Sequence, residues 1–197
     1  KEILLREVHH RVKNTMTTIE SLLSLQAGSV TQPEAMAALE DTISRVRSSR
    51  VLYDKLLISE DLHAVSVREY ADGLIDSLAA VFNLDRDITI EKQISDFLID
   101  PRKAFLIGII LNELLTNVFK YAFEGRDSGN VSVHIANEDG NVTLIIQDDG
   151  VGFDETTMEG TSTEFGLTVI GMLVKQLGGT SSITNENGAR TVVTFRI

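Results

Sequence analysis

The sequence contains no cysteine, no tryptophan and only two prolines. Without cysteine there is no disulfide, no thiol nucleophile and no thiolate metal site. This absence is compatible with a reducing compartment, and we expect the protein to act in the cytoplasm. A content of 43% hydrophobic and 24% charged residues, without low-complexity tracts, excludes a disordered or collagen-like chain. At 197 residues the chain can bury a core without cross-links.

Positive charge is also scarce, with 18 Lys plus Arg against 29 Asp plus Glu and a net charge of −11. The molecule as a whole therefore repels duplex nucleic acid and anionic membrane surfaces, so we expect no nucleic-acid partner. The apolar run 104–111 is far shorter than the roughly 20 residues that cross a bilayer, so we expect no membrane span. Because the chain starts at Lys1 already in a helical pattern, we expect it to be part of a longer protein whose upstream part is missing.

Residues 1–62 show the apolar pattern of two long helices. The first carries a seam at alternating steps of three and four residues: Leu5, Val8, Val12, Thr15, Ile19, Leu22 and Gln26. A capping box from Thr31 to Glu34 opens the second. Two such helices expose too much apolar surface to be stable alone, so we predict an antiparallel hairpin that pairs with a second copy into a four-helix bundle. A monomer stays open as the alternative.

Residues 63–197 predict a separate α+β domain. The predicted elements are a helix from the capping box Ser66–Glu69 to about Phe82, a strand over 88–94, a helix from Asp100-Pro101 to about Phe123, a hairpin of 131–136 with 142–147, a helix over 166–177, and strands over 182–184 and 191–197. Because the strands and helices do not alternate regularly, we expect an α/β sandwich with one sheet covered by helices.

His10 is the first residue that could carry chemistry. On a helical wheel it lies about 190° from the seam and points into solvent, whereas His9 lies on the flank. The neighbours of His10 on that outer face are Arg6, Lys13, Asn14 and Thr17. This excess of cationic and amide donors would suit the receipt of a phosphoryl group. A solvent-exposed histidine without a role is the simpler interpretation of this spacing alone.

The helix that starts at Pro101 carries a polar stripe formed by Asn112, Glu113, Thr116, Asn117 and Lys120. Glu113 and Asn117 lie one turn apart and could offer oxygens to a single Mg²⁺. Lys120, a further turn along, could contact a phosphate. The alternative is an ordinary solvated helix face.

Two glycine-containing segments follow the predicted hairpin. In Asp148–Gly152 the glycines would allow a flat ligand to approach the backbone, and Asp148 could accept a hydrogen bond from an exocyclic amine. Gly166 opens a helix whose free N–H groups could hold phosphate, after a polar stretch over 154–164 that is typical of a lid. Each segment alone, like Gly188–Thr191, is also an ordinary turn.

Taken together, these residues resemble the sensor histidine kinases of two-component signalling. Residues 7–14 are similar to the phosphoacceptor box His-Arg-x-x-Asn of the branch related to the HWE kinases, in which the histidine before arginine, here His10, is the acceptor. Residues 112–122, 148–152 and 166–170 are similar to the N, G1 and G2 boxes of the ATP-binding fold shared by gyrase, chaperones and kinases (GHKL). The ordered set spans almost the whole chain.

This resemblance implies ATP and Mg²⁺ as ligands, with Asn117 and Glu113 at the metal, Lys120 at a phosphate, Tyr121 near the adenine and Asp148 at its amino group. The implied nucleotide-binding set is Asn117, Lys120, Tyr121, Asp148, Gly150, Gly152, Gly166, Leu167 and Thr191. Lys13 and Asn14 would steady His10, and Glu7 is the candidate general base. The implied partners are the receiver domain of a response regulator and a second copy of the chain, and the resemblance also implies an upstream sensor domain that is missing from this sequence.

Several positions depart from the family pattern. Glu164 stands where the G2 box begins with glycine, Tyr121 where many HWE kinases have histidine, and Arg11 where commoner kinases have an acid after the acceptor.

One alternative function is that of a phosphotransfer or scaffold protein with a degenerate ATP-binding domain, but such a protein should have lost Asn117 and Asp148. Another is a serine kinase of the anti-sigma type, which has no reason to carry a hairpin with His10.

Overall fold

The computed structural model describes residues 2–33, 35–36, 38–40, 42–43, 45–46, 50, 64–82, 87–154 and 165–197. The chain divides into two compact units, Lys1–Glu60 and Asp61–Ile197. The predicted boundary between residues 62 and 63 lies outside the described residues, so the assignment of a phosphotransfer domain over 1–62 and an ATP-binding domain over 63–197 stays a prediction.

The first unit is helical. Helix α1 spans Glu2–Ala27 and ends where Gly28 N donates to Ser24 O at 3.1 Å. The described residues between positions 33 and 50 are helical as well. Arg50 Nη1 lies 2.9 Å from Glu20 Oε2, so an ion pair joins α1 to this second helical stretch. The predicted helical N-terminal region is confirmed.

The predicted seam of α1 is only partly the face that is covered within the chain. The less exposed side carries Val12, Met16, Leu23 and Ala27. By contrast, Ile19, Leu22 and Leu25 are 42%, 60% and 74% exposed. The helix therefore carries two apolar stripes, and periodicity alone does not say which of them faces the same chain.

The second unit contains seven strands and three α-helices among the described residues. They are β1 (Val65–Ser66), α2 (Val67–Phe82), β2 (Asp87–Ile94), β3 (Leu98–Ile99), α3 (Pro101–Asn117), a π-helical turn (Val118–Ala122), β4 (Ser128–Glu138), β5 (Asn141–Asp148), α4 (Phe165–Gln176), β6 (Thr180–Asn185) and β7 (Ala189–Arg196). The predicted α+β class is confirmed.

Five of these strands form one mixed sheet in the order β2-β4-β5-β7-β6. The β2–β4 pair is parallel and the other pairs are antiparallel. Alternate residues of β4 and β5 are buried, and α3 packs against both α2 and α4. One sheet face therefore forms the core with the helices. The two-residue strands β1 and β3 pair separately, and they are too short to give a sequence pattern.

Local signals set the ends of these elements as predicted. Ser66 Oγ accepts from Glu69 N at 3.3 Å at the start of α2. Asp100 Oδ1 accepts from Arg102 N at 2.8 Å at the start of α3, with Pro101 in the first turn. Asp139 and Gly140 have φ of 50° and 83°, as a two-residue hairpin turn with matching twist requires.

The long helix from Pro101 differs from the prediction at its end. Its α-helical part ends at Asn117, and Val118–Ala122 form a wider π-helical turn. By length and composition Pro101–Ala122 could cross a membrane, but 67% of its apolar window is buried inside the unit. This burial is the pattern of a core helix, whose apolar side chains face the sheet and the neighbouring helices.

Candidate functional site

A cavity of about 360 Å³ lies where α3, the π-helical turn, β5, β7 and the segment after β5 meet. Its apolar walls include Leu114, Val118, Ala122, Ile146 and Val151, and its polar lining includes Asn117, Tyr121, Asp148, Asp154 and Thr191. Apolar walls with a few convergent polar groups are typical of a site for a small organic ligand, and the volume lies in the lower part of the usual range.

Asp148 is the buried acid of this cavity, with only 4% of its surface exposed. Its Oδ1 accepts from Gly150 N at 2.8 Å and from Ala189 N at 3.1 Å. Burial raises the pKa of this carboxyl above its ordinary value, and the two backbone N–H groups offset part of that rise. Because both donors bind Oδ1, Oδ2 can accept from a ligand.

Asp149, the next residue, is held by a different set of groups. Its two carboxylate oxygens accept from the backbone N and the side-chain Nδ2 of Asn130, each at 2.9 Å. Arg126 donates to the carbonyl of Asp149 and lies 3.6 Å from its carboxylate. Hydrogen bonds from Asn130 hold the pKa of Asp149 below its ordinary value. The two adjacent acids therefore differ in role, since Asp149 fixes the turn and Asp148 faces the cavity.

The glycines after Asp148 are required by protein packing. A Cβ added to Gly150 would lie 2.2 Å from Ala122 O. Val151 N donates to that same carbonyl at 3.0 Å. We expected Gly150 to make room for a nucleotide, but its bare backbone makes room for the π-helical turn, because the two segments cross in direct contact. Gly152, with φ of 79°, does line the cavity.

Three of the five residues of the polar stripe are buried, which excludes an ordinary solvated helix face. Asn112, Glu113 and Thr116 are 1%, 5% and 3% exposed. Asn112 Nδ2 donates to Glu113 Oε1 at 3.4 Å. In the described part of the chain, Asn112 Oδ1 and Thr116 Oγ1 are buried without a hydrogen-bond partner. Buried polar groups without a hydrogen bond are costly, so we expect these two atoms to bond to a ligand or to water.

The structure brings together only part of the predicted nucleotide set. Five of its residues line the described cavity: Asn117, Tyr121, Asp148, Gly152 and Thr191. The other four lie outside that lining, namely Lys120, Gly150, Gly166 and Leu167, and so does the predicted metal ligand Glu113. Gly166 is buried in the first turn of α4. Sequence reasoning missed Phe153 and Ala189, which line the cavity, since neither belongs to a polar pattern.

Most of the residues predicted to receive the phosphoryl group, in the helical unit, are described only in their backbone. His10 lies in α1, but its side chain is outside the described residues, as are those of Glu7 and Lys13. Asn14 is described and exposed. Glu164 falls outside the described residues altogether. The outward orientation of the His10 imidazole therefore stays a prediction.

The residues present suit a magnesium nucleotide. Among the described residues no group of three or more His, Cys, Asp or Glu could hold a metal by itself. Mg²⁺ is usually held by one or two protein oxygens together with substrate phosphates and water. Asn117 at the cavity and the buried Glu113 one turn before it offer such oxygens.

Comparison with known proteins decides the family. Residues 7–82 match the family described as "Histidine kinase", and residues 103–197 match "Histidine kinase-, DNA gyrase B-, and HSP90-like ATPase". The chain belongs to the histidine kinase family. The resemblance drawn from the sequence motifs is therefore confirmed, and the kinase core consists of both matched regions.

Its relatives are longer proteins. Sensor histidine kinase PdtaS of Mycobacterium tuberculosis is 28% identical over 199 residues, which cover 100% of this kinase core and 40% of that protein. Blue-light-activated histidine kinase 2 of Erythrobacter litoralis is 27% identical, with 98% and 56% covered. Among solved structures, the histidine kinase domain of the Erythrobacter litoralis EL346 blue-light activated histidine kinase has a TM-score of 0.71 at 25% identity, with 98% of this chain and 90% of that chain covered.

Proposed function

We propose that this chain transfers the γ-phosphoryl group of ATP to His10 and then to an aspartate in the receiver domain of a response regulator. The observation that supports this most directly is the buried Asp148 in an apolar cavity. A carboxylate with one oxygen occupied by two backbone N–H groups and the other available suits the amino group of adenine.

Each part of the nucleotide has matching residues. The purine would pack between the apolar walls, with Asp148 and Thr191 at its polar edge. Asn117 and Glu113 would hold Mg²⁺, and Lys120 would contact a phosphate. The first turn of α4, with Gly166 and Leu167, offers backbone N–H groups and the positive end of a helix dipole. Bound Mg²⁺ would neutralise charge on the phosphates.

In the proposed reaction a ring nitrogen of His10 attacks the γ-phosphorus, and the bond from that phosphorus to the β–γ bridging oxygen breaks. ADP leaves, and the imidazole proton passes to a base, for which Glu7 is the candidate. Lys13 and Asn14 would steady the incoming phosphoryl group. In the second step an aspartate carboxylate of the receiver attacks the phosphorus, the P–N bond breaks, and the leaving nitrogen takes up a proton from the base or from water, which restores His10. Because the substrate is ATP, the proposal places the reaction in the cytoplasm.

The exposed stripe of α1 supports pairing with a second copy through the helical unit. Ile19, Leu22 and Leu25 recur every three residues on one side, and all three are exposed. A second copy would bury this stripe and complete a four-helix bundle. We therefore propose that the kinase core is a homodimer.

The experiment that tests this function is incubation with Mg²⁺ and ATP labelled at the γ-phosphorus. The wild type and His9→Gln should acquire acid-labile label, whereas His10→Gln and Asn117→Asp should acquire none. Label that persists in His10→Gln would refute the acceptor assignment. A wild type that binds no nucleotide would favour the scaffold alternative.

A further inference from the structure

The side chain of Asn185, the last residue of β6, holds the backbone of Phe153 through both ends of its amide. Asn185 Oδ1 accepts from Phe153 N at 2.8 Å, and Asn185 Nδ2 donates to Phe153 O at 2.9 Å. A side-chain amide presents a donor and an acceptor in one plane, as a backbone N–H and C=O require. The edge of the sheet is thereby joined to the segment that follows β5.

That segment forms one wall of the cavity, since Gly152, Phe153 and Asp154 all line it. A Cβ added to Gly152 would lie 2.8 Å from Asn185 Oδ1, so the bare glycine backbone is what lets the amide approach. Among the residues described as lining the cavity, Asn185 itself does not occur. The side-chain amide of Asn185 therefore acts on a ligand through the segment 152–154 that it holds.

We propose that Asn185 is a positioning residue that fixes this wall of the nucleotide cavity; the inference rests on the proposed function. The amide is exposed, so each hydrogen bond lies at the weak end of the usual range. Together the two bonds raise the equilibrium constant for the binding geometry of the segment by about fivefold. Loss of both should weaken nucleotide binding by that factor without unfolding the unit.

Asn185→Asp provides a test that a general loss of stability would not reproduce. The substitution keeps the shape and the acceptor for Phe153 N, but an ionised carboxylate cannot donate to Phe153 O and repels that carbonyl. When protonated, the acid carries an O–H donor again and restores both bonds. The variant should therefore bind about tenfold more weakly than wild type at neutral pH, and this ratio should approach one as the pH falls through the pKa of the new acid.

The measurement is the Kd of ADP with Mg²⁺ from about pH 3.5 to about pH 7, by isothermal titration calorimetry, a window that includes the ordinary aspartate pKa of about 3.9. Asn185→Ala should show a ratio near fivefold that does not change with pH. Other charged groups near this contact are shared by all variants and cancel in the ratio: Asp148, Asp149, Asp154, and the Glu186–Arg190 ion pair at 3.6 Å. Asn137→Asp is the matched control, because Asn137 Oδ1 accepts from Gly140 N in the turn at the opposite end of β5.

The outcomes separate the two claims. If wild type binds ADP and both Asn185 variants bind it equally well at neutral pH, the inference is wrong and the proposed function stands. A pH-independent ratio in Asn185→Asp equal to that in Asn185→Ala also overturns it, since restored bonding then has no effect. A wild type that does not bind ADP overturns the proposed function itself. Thermal melting of each variant confirms that folded protein is compared.

Discussion

Replacement of Asp148 by asparagine should separate nucleotide binding from stability. The amide oxygen can still accept from Gly150 N and Ala189 N, so the turn is retained. The amide NH₂ cannot accept from the amino group of adenine. A hydrogen bond to a charged group contributes about 1.5–3 kcal/mol, and about 1.4 kcal/mol is a factor of ten. The Kd for ATP should therefore rise by roughly 10- to 100-fold.

Although Asp148→Asn should weaken nucleotide binding, it should leave the stability of the folded unit unchanged or increase it. Burial raises the pKa of Asp148, which means that the fold disfavours the ionised carboxyl. The asparagine side chain carries no charge, so its burial costs less than that of the carboxylate. The melting temperature of Asp148→Asn should equal or exceed that of wild type in calorimetry.

The sign of the pH dependence follows from the same raised pKa. The folded state holds the Asp148 proton more tightly than the unfolded chain, so this contribution to stability is present below the ordinary carboxyl pKa and is lost as the pH rises to the raised value. Nucleotide binding needs the ionised form and should strengthen over the same window. Equal ATP affinity in Asp148→Asn and wild type, or a variant that melts well below wild type, would refute this account.

Two further predictions concern packing. Gly150→Ala should lower the free energy of unfolding by about 1–3 kcal/mol, because its Cβ would overlap the Ala122 carbonyl. Chemical denaturation measures this change. The control Gly171→Ala lies on α4, where an added Cβ meets nothing within 4 Å, and should be more stable than wild type by about 0.5–1 kcal/mol. Leu25→Glu should convert the proposed dimer to a monomer in light scattering. Ser24→Glu, which lies about 160° round α1 from Leu22 at the centre of the stripe, should leave the mass unchanged. A dimeric Leu25→Glu would show that this stripe is not the interface.

Most of the fold could be predicted because its signals are local. The capping box at Ser66, the Pro101 start and the turn at Asp139-Gly140 each lie in a few consecutive residues, and the structure places each as expected. The strand order and the parallel β2–β4 pair could not be predicted, because they depend on contacts between residues far apart in the chain.

The site was predictable where a polar residue interrupts an apolar pattern, as Asp148 does at the end of β5. It was not predictable where the partner is a backbone group. Gly150 was interpreted as room for a ligand because the sequence does not show that Ala122 O crosses it. The π-helical turn could not be predicted either, because its wider winding leaves no sequence period and the backbone of Val151, which donates to Ala122 O, lies far along the chain.

The outermost strands of the sheet have a consequence for the proposed homodimer. Strand β2 carries Asp87, Glu91 and Lys92, and β6 is polar at every position except Ile183. Charged and polar edge strands are poor templates for further strand addition. Two sheets kept at high local concentration by a shared helical bundle would therefore resist joining edge to edge, so each remains available to bind and release nucleotide independently.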